Sequence, residues 1–357
     1  MSGGVDSSVA AALLARAGHE VIGLSMQLYD QQEGQVRFGT CCTIDDLHDA
    51  RRVAARIGIP HYIVNFERQF SETVVSNFVQ EYAAGRTPIP CVHCNGDLKF
   101  ATLVARARGL GAELVATGHY ARVDRAADAT YRLRRGVDPA RDQSYFLFTL
   151  SQAQLSHAMF PVGDVDKTTV REWARELELP VAEKPDSHEI CFVPDGDHAA
   201  FLERQGATAA PGAIRDTNGH VVGRHEGVHH FTVGQRKGLG LSSPIPLYVV
   251  GIDAGANTVT VGPRAALDRG DLTASCVNWI AGTPHAEGTR ITAQIRHRHQ
   301  EAPARLEPIE TSRARVVFDE PQSAVAPGQA VVFYEGDCVL GGGWIDGAEG
   351  SKRVLGF

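Results

Sequence analysis

The opening residues Met1-Ser2-Gly3-Gly4-Val5-Asp6-Ser7-Ser8 carry the chemistry of an anion site. Two adjacent glycines let a turn aim its backbone N–H groups at one point. Ser7 and Ser8 open an apolar run over residues 9–15 that reads as a helix with its positive end facing that point. Phosphate is the ligand such a turn grips. No lysine follows the glycines, so the spacing is not that of the Walker loop, and the plainer alternative is a Gly-rich turn before a helix. Three cysteines stand in contexts suited to sulfur chemistry: Cys91 and Cys94 in Pro90-Cys91-Val92-His93-Cys94-Asn95, and Cys191 before Phe192. Taken alone, the Cys-x-x-Cys pair reads as half of a zinc site and Cys191 as a core residue. No second Cys-x-x-Cys and no His-x3–5-His is read that would complete four ligands, so no metal site is expected from these residues.

The rest of the sequence must build a frame for these groups. At 357 residues the chain is long enough for two or three domains. Its 43% hydrophobic and 22% charged content suit a globular protein, and no apolar run approaches the ~18 residues of a membrane span. Nothing at the start resembles a signal peptide, so a cytoplasmic protein without membrane partners is expected. Seven cysteines, an odd number, argue against a disulfide scaffold. Cys41, Cys42, Cys276 and Cys338 are expected to be buried structural residues. A net charge of −7 does not advertise a nucleic-acid partner, so any such site must be local. The candidates are Arg296-His297-Arg298-His299 and the group Arg132, Arg134, Arg135 and Arg141, each with a solvated charged face as the alternative.

The first 200 residues alternate short strands with amphipathic helices, the pattern of an α/β fold with a doubly wound, mostly parallel sheet. Strands are expected over residues 21–28, 61–66 and 113–117. Helices are expected from a Thr43/Asp46 capping pair to about Ile57, over residues 71–82 and over residues 98–108, with a proline-interrupted loop over residues 86–95. In such folds ligand loops lie at the carboxyl ends of strands, which puts Met26 and Gly118-His119 at the same crevice as the glycine turn. After about Phe201 the texture becomes Gly- and Pro-rich. Residues 230–240 and 248–252 suggest a small β-rich middle domain, and runs at 290–296, 314–318 and 330–334 suggest a C-terminal β-barrel or sandwich. The expected domains are thus 1–200, 201–268 and 269–357. A doubly wound sheet also needs a strand feeding its first phosphate loop, and none precedes Ser2; a start codon upstream of the given one is expected, the alternative being a protein that lacks its first central strand.

The glycine turn resembles the pyrophosphate-binding loop (PP-loop) of enzymes that split ATP into AMP and pyrophosphate to adenylate a carbonyl oxygen. With the cysteines, the whole chain resembles the bacterial tRNA-specific 2-thiouridylase family, in which the 2-oxygen of the anticodon wobble uridine is replaced by sulfur. The resemblance rests on seven segments in order: residues 2–8, 117–120, 142–147, 184–187, 190–192, 234–240 and 327–329. It implies that Cys94 is the nucleophile and Cys191 the carrier of a persulfide. It implies ATP contacts at Ser2, Gly3, Gly4, Val5, Asp6, Ser7, Met26 and Gly118. It implies tRNA contacts at Ile89, Pro90, Cys91, His119, Arg141, Asp142, Gln143, Arg296, His297 and Gln329. Two positions depart from the pattern: many members have Asp at Cys91, and Tyr at His297, where an imidazole still stacks on a base over less area.

The implied chemistry is coherent. Adenylation turns a uridine oxygen into a leaving group, with the glycine turn stabilising pyrophosphate and Mg2+ bridging the phosphates. Asp6 would orient that magnesium or fix the turn. Sulfur then passes from Cys191, with Cys94 closing a disulfide for an external reductant, which requires the two Cα atoms within about 7 Å. The family implies tRNAs for Lys, Glu and Gln as substrates, and a cysteine desulfurase or sulfur-relay protein as partner. Three alternatives stay open. Cys91, Cys94 and Cys191 would suit three corners of an iron–sulfur cluster, separable by iron and sulfide analysis. Another adenylating enzyme of the loop class would amidate a small molecule, and a non-catalytic ATP- or RNA-binding module would leave both cysteines structural.

Overall fold

The computed structural model describes residues 1–28, 44–186, 190–193, 196–207 and 210–347. Thr43 of the expected capping pair, and Cys41 and Cys42, lie outside the described residues. The chain divides into two compact units, one comprising Met1–Val75, Pro90–Gly196 and Asp337–Val339, the other Ser76–Ile89, Asp197–Gly336 and Leu340–Phe357. Among the described residues no helix is long and apolar enough to cross a membrane.

The first unit is α/β. Strands Gly23–Gln27 and His61–Asn65 pair in parallel, as do Val115–Ala116 and Ala158–Met159. The expected parallel sheet is therefore drawn as two two-stranded pieces. Met1 lies along the first of them: its amine reaches the Leu24 carbonyl, and its own carbonyl accepts from Ser25 Oγ at 2.6 Å. The first helix, Val5–Arg16, buries Val5, Val9, Ala10 and Ala12 against Val53 of helix Ile44–Ile57 and against Val170 and Ala174 of helix Lys167–Glu176. A hairpin, Ala121–Arg125 with Tyr131–Arg135, completes the described sheet structure of this unit together with Cys338 and Val339, which pair with Arg134 and Leu133.

Two expectations are corrected here. The helix expected over 71–82 begins at Glu67 and widens to a π turn over Ser71–Val75 before continuing as Ser76–Ala83. The loop expected over 86–95 is helical from Pro90: a turn Pro90–His93 runs into a π segment, Cys94–Phe100, and then the helix Ala101–Gly109. Proline at the first position of a helix gives up a hydrogen bond that has no partner anyway, so Pro90 starts the helix instead of breaking it.

The second unit is β-rich. A four-stranded sheet runs in the order Val221–His225, Gly212–Arg215, Thr258–Gly262, Tyr248–Asp253, over a core of Ile214, Phe231, Leu239, Val249, Val259 and Val261. Residues 230–240 supply Phe231 and Leu239 to that core as a turn-rich loop, not as the expected β run. Six antiparallel strands then close a barrel: Asp268–Trp279, Arg313–Ser323, Ala302–Glu310, Thr289–Gln294, Ala330–Glu335 and Cys338–Gly347, the last pairing back onto the first. Its interior takes every second residue, for example Ile291, Ala293 and Ile295, or Ala302, Ala304 and Leu306. Of the cysteines expected to be buried, Cys338 is half-covered, with its thiol pKa raised by burial, whereas Cys276 is exposed at a bulge with φ of 49°.

Candidate active site

The glycine turn has the shape its composition predicts. Gly3 has φ of +71°, and a Cβ there would stand 2.2 Å from the Asp46 carbonyl oxygen, so no side chain fits. Gly4 is the N-cap of the first helix with no side-chain cap, which leaves first-turn N–H groups available to an anion. Ser2 and Ser7 brace the turn from within. The Ser2 amide donates to Ser7 Oγ at 3.1 Å, the two hydroxyls are 3.1 Å apart, and Ser8 Oγ donates to the Gly4 carbonyl at 2.7 Å. Gly118 closes the turn from outside: a Cβ on it would lie 2.5 Å from the Ser7 amide nitrogen.

Asp6 holds a partly buried charge network, not a turn bond to its own backbone. Lys167 Nζ donates to both carboxylate oxygens, at 2.7 and 2.9 Å, and Tyr120 donates its hydroxyl at 2.8 Å. Burial, reinforced by the Asp6 charge, raises the Tyr120 pKa, so that hydroxyl stays protonated. Lys167 also reaches Asp186 at 2.8 Å, where Arg141 and Arg171 join at 2.8 and 3.0 Å. Burial alone would raise the Asp186 pKa, yet these three cations together hold it below the usual carboxylate value. Beside them Lys184 Nζ binds Asp46 and Asp49 at 2.6 Å each and the Gly3 carbonyl at 3.1 Å, tying the turn to the second helix. Tyr120 and Lys184 fall in segments 117–120 and 184–187 that carry the resemblance but were given no role there, and Lys167 was not singled out at all. The available signal was Lys167 itself, a cation at the first position of a helix, where the dipole opposes it.

The two cysteines meet the same apolar cluster. Met26, Leu28, Phe66, Phe70, Val74 and Leu98 form it, and half-buried Cys94 and Cys191 both pack against it. Phe192 stands edge-on to Phe70 at 5.5 Å. Cys91, one turn before Cys94, is exposed. Next to Cys94, His93 Nδ1 lies 2.8 Å from Asp97 Oδ2.

The basic group at Arg132, Arg134, Arg135 and Arg141 is not a bare cationic patch. Arg132 pairs with Asp124, Arg134 with Asp124 and Asp337, Arg135 with Asp142, and Arg141 with Asp186. Asp142 also accepts from the Gly136 and Ser144 amides, and Gln143 exchanges two hydrogen bonds with the Tyr120 backbone at 2.9 and 3.0 Å. Both side chains therefore shape the turn that presents Arg141.

His119 packs near Phe100 and Phe160, with ring centroids 6.3 and 6.2 Å away, and its Nδ1 lies 2.8 Å from Thr117 Oγ1. Burial, helped by the Lys99 charge, lowers its pKa to about 3, so the ring is neutral at physiological pH. The unfolded chain takes up a proton below its own pKa of 6.5 that the native state refuses. The contribution of His119 is thus complete above that pH and lost as pH falls toward the native value. Denaturant melts of wild type and His119→Gln should show the wild type losing roughly 1–3 kcal/mol more between pH 7 and pH 4.5. Equal losses would mean that the ring protonates freely in the native state.

In the second unit, the Pro327-Gly328-Gln329 turn grips residues 86–88. Thr87 N donates to the Pro327 carbonyl at 2.8 Å, and Gln329 Nε2 donates to the Thr87 and Pro88 carbonyls at 2.9 and 3.3 Å. A Cβ on Gly328, with φ of +85°, would meet Arg86 Cβ at 2.9 Å. Ile89, next in sequence, is buried. Arg296 NH1 donates to the Ser323 carbonyl at 3.2 Å, and Gln294 Nε2 supports the Arg296 and His297 carbonyls at 3.2 and 2.7 Å.

A glycine-serine turn capping a helix in a parallel α/β unit, joined to a small β domain and a closed barrel, defines a nucleotide-site enzyme of the HUP class with β-rich appendages. Residues 1–195 match the family described as tRNA methyl transferase HUP domain, residues 199–263 the tRNA methyl transferase PRC-barrel domain, and residues 269–345 the Aminomethyltransferase beta-barrel domain. The chain is 55% identical to tRNA-specific 2-thiouridylase MnmA of Geotalea uraniireducens over 99% of this chain and 96% of that protein. It is 54% identical to that of Geobacter metallireducens over 98% and 96%. The chain belongs to the tRNA-specific 2-thiouridylase family. A solved U34-tRNA thiolase, NcsA from Methanococcus maripaludis with its 4Fe-4S cluster, is 19% identical over 58% of this chain and 65% of that one, at a TM-score of 0.34. That likeness is too slight to bear on the cofactor of this chain.

Proposed function

We propose that this enzyme is an ATP-dependent tRNA sulfurtransferase that converts the wobble uridine at position 34 to 2-thiouridine, releasing AMP and pyrophosphate. Family membership supports the reaction. The observation that carries the residue assignment is the packing of Cys94 and Cys191 on one apolar cluster that includes Met26, in the unit that holds the uncapped glycine turn. ATP is the co-substrate: Ser2 to Ser7 would receive its phosphates, with Met26 and Gly118 at the nucleotide, and the helix N-terminus would stabilise charge on the departing pyrophosphate. Mg2+ would neutralise phosphate charge. We assign it to arrive with the nucleotide, since both Asp6 oxygens already take Lys167 and one takes Tyr120.

The uracil 2-oxygen attacks the α-phosphorus of ATP and pyrophosphate leaves. The terminal sulfur of a Cys191 persulfide then attacks C2 and AMP leaves, joining Cys191 to the base through two sulfurs. The Cys94 thiolate attacks Cys191 Sγ and breaks the sulfur–sulfur bond. The outer sulfur stays on C2, reduced, and the two cysteines are oxidised to a disulfide that an external dithiol reopens. A cysteine desulfurase or relay protein supplies the persulfide, and tRNAs for Lys, Glu and Gln are the proposed substrates, in the cytoplasm. Functional domains over residues 1–200, 201–268 and 269–357 go with this reading. Purified chain, ATP, a desulfurase and tRNA transcripts should yield 2-thiouridine by nucleoside mass spectrometry. If pyrophosphate is released yet the only modified product is an amidated small molecule, the reading fails.

On the tRNA side, Ile89, Pro90 and Cys91 would lie beside the target base, and His119, Arg141, Asp142, Gln143, Arg296, His297 and Gln329 would touch or position the RNA. Arg296→Ala should weaken tRNA binding without changing ATP affinity. It should flatten the log–log salt dependence by about one unit, because one phosphate contact is lost. An unchanged slope would remove Arg296 from the interface.

A further inference from the structure

Three potential ligands converge in the second unit. Glu203 sits near the end of helix His198–Arg204, and His229 and His230 form the 3-10 turn Val228–His230. Glu203 Oε1 lies 3.8 Å from His229 Nε2 and 3.6 Å from His230 Nε2, and the three ligand atoms all fall within 4.8 Å of one another. Among the described residues this is the only place where three such groups meet.

Both Nε2 atoms are buried without a hydrogen-bond partner, and the His229 side chain is 4% exposed. Unpaired buried imidazole nitrogens cost free energy, so a pair aimed at one carboxylate calls for a partner. The local backbone is built to allow it. Gly227 leaves room that a Cβ would fill at 2.5 Å from His229 Cε1, and the two imidazole rings lie 4.3 Å apart at an interplanar angle of 34°, which keeps them from diverging.

We propose that Glu203, His229 and His230 bind a zinc-class divalent cation, with water completing the coordination. Metal–ligand distances of about 2.0–2.2 Å fit between the three atoms after a small closing movement. Two imidazoles and one carboxylate suit zinc or a neighbouring transition ion over magnesium or calcium. The ion would clip the helix carrying Glu203 to the turn that leads into the Phe231–Leu239 loop. The sequence does hold a signal for it, since His225, His229 and His230 follow the His-x-x-x-His and His-x-x-x-x-His spacings. This corrects the expectation that no His-x3–5-His spacing occurs in the chain.

The test uses the full chain, tag removed, with Cys91, Cys94 and Cys191 replaced by serine so that those thiols cannot compete. Titration with Co2+ should give one equivalent with visible ligand-field bands and no thiolate charge-transfer band. Zinc affinity by competition should fall about 10–100-fold in Glu203→Gln and further in His230→Gln. Glu203 is half exposed, so its substitution does not threaten folding, and zinc should raise the melting temperature of the parent but not of Glu203→Gln. Absence of cobalt bands, a thiolate band, or an affinity unchanged by Glu203→Gln would each overturn the proposal.

Discussion

Cys191→Ser abolishes 2-thiouridine formation while tRNA-dependent pyrophosphate release persists, because a hydroxyl accepts no persulfide yet leaves the glycine turn intact. The expected loss is at least about a thousandfold, the scale of removing a covalent nucleophile. Cys94→Ser loses product to the same degree, but Cys191 in that variant still accepts labelled sulfur from a desulfurase. The asymmetry is the discriminating result. If a cluster held by Cys91, Cys94 and Cys191 carried the sulfur, Cys94→Ser would instead lose bound iron on anaerobic purification. Product formation by Cys191→Ser at wild-type rate would refute its role outright.

Lys167→Ala is expected to be the most destabilising single change near the glycine turn. It leaves Asp6, 29% exposed, with only the Tyr120 hydroxyl, while Asp186 keeps Arg141 and Arg171. Breaking a largely buried ion pair from one side costs roughly 2–4 kcal/mol, reduced from the fully buried case because Asp6 sees some water. In a unit of this size that is a melting-temperature drop of roughly 5–12 °C. Pyrophosphate release should fall with it, since Asp6 lies in the first turn of the helix that faces the phosphates. The double variant Lys167→Ala with Asp6→Asn should regain part of the lost stability, because the unpaired charge is gone. Additive losses would show that the pair is not coupled.

The glycine turn was legible because its determinants are local: two glycines and three serines within the seven residues 2–8, where the helix begins. The network beneath it was not, because Lys167 and Asp6 are 161 residues apart and no periodicity links them. Cys94 was singled out from its Cys-x-x-Cys context, but the local structure around it was misjudged. Pro88 and Pro90 were read as breakers, although a proline at a helix's first position costs nothing there, and the widened turn over Cys94–Phe100 leaves no compositional mark. The barrel strands were recognisable from their alternation, whereas residues 230–240 imitate a strand in composition while folding as a loop that lends Phe231 and Leu239 to the core. The arginines at 132–135 show the limit of counting charge, since each has a carboxylate partner: Asp124 lies 8 residues from Arg132, Asp142 lies 7 from Arg135, and Asp337 is 203 residues from Arg134.

The interleaving of the two compact units constrains how the protein can be made. Asp337–Val339 belongs to the unit that begins at Met1, and Ser76–Ile89 to the unit built mainly from later residues. A nascent chain leaving the ribosome therefore cannot finish its first unit until the barrel's last strand has begun to emerge, and residues 76–89 must wait for the Pro327-Gly328-Gln329 turn that grips Thr87 and Pro88. A fragment cut near residue 200 to obtain the nucleotide site alone would carry residues 76–89 without their anchoring turn and would lack the strand residues that pair with Leu133 and Arg134.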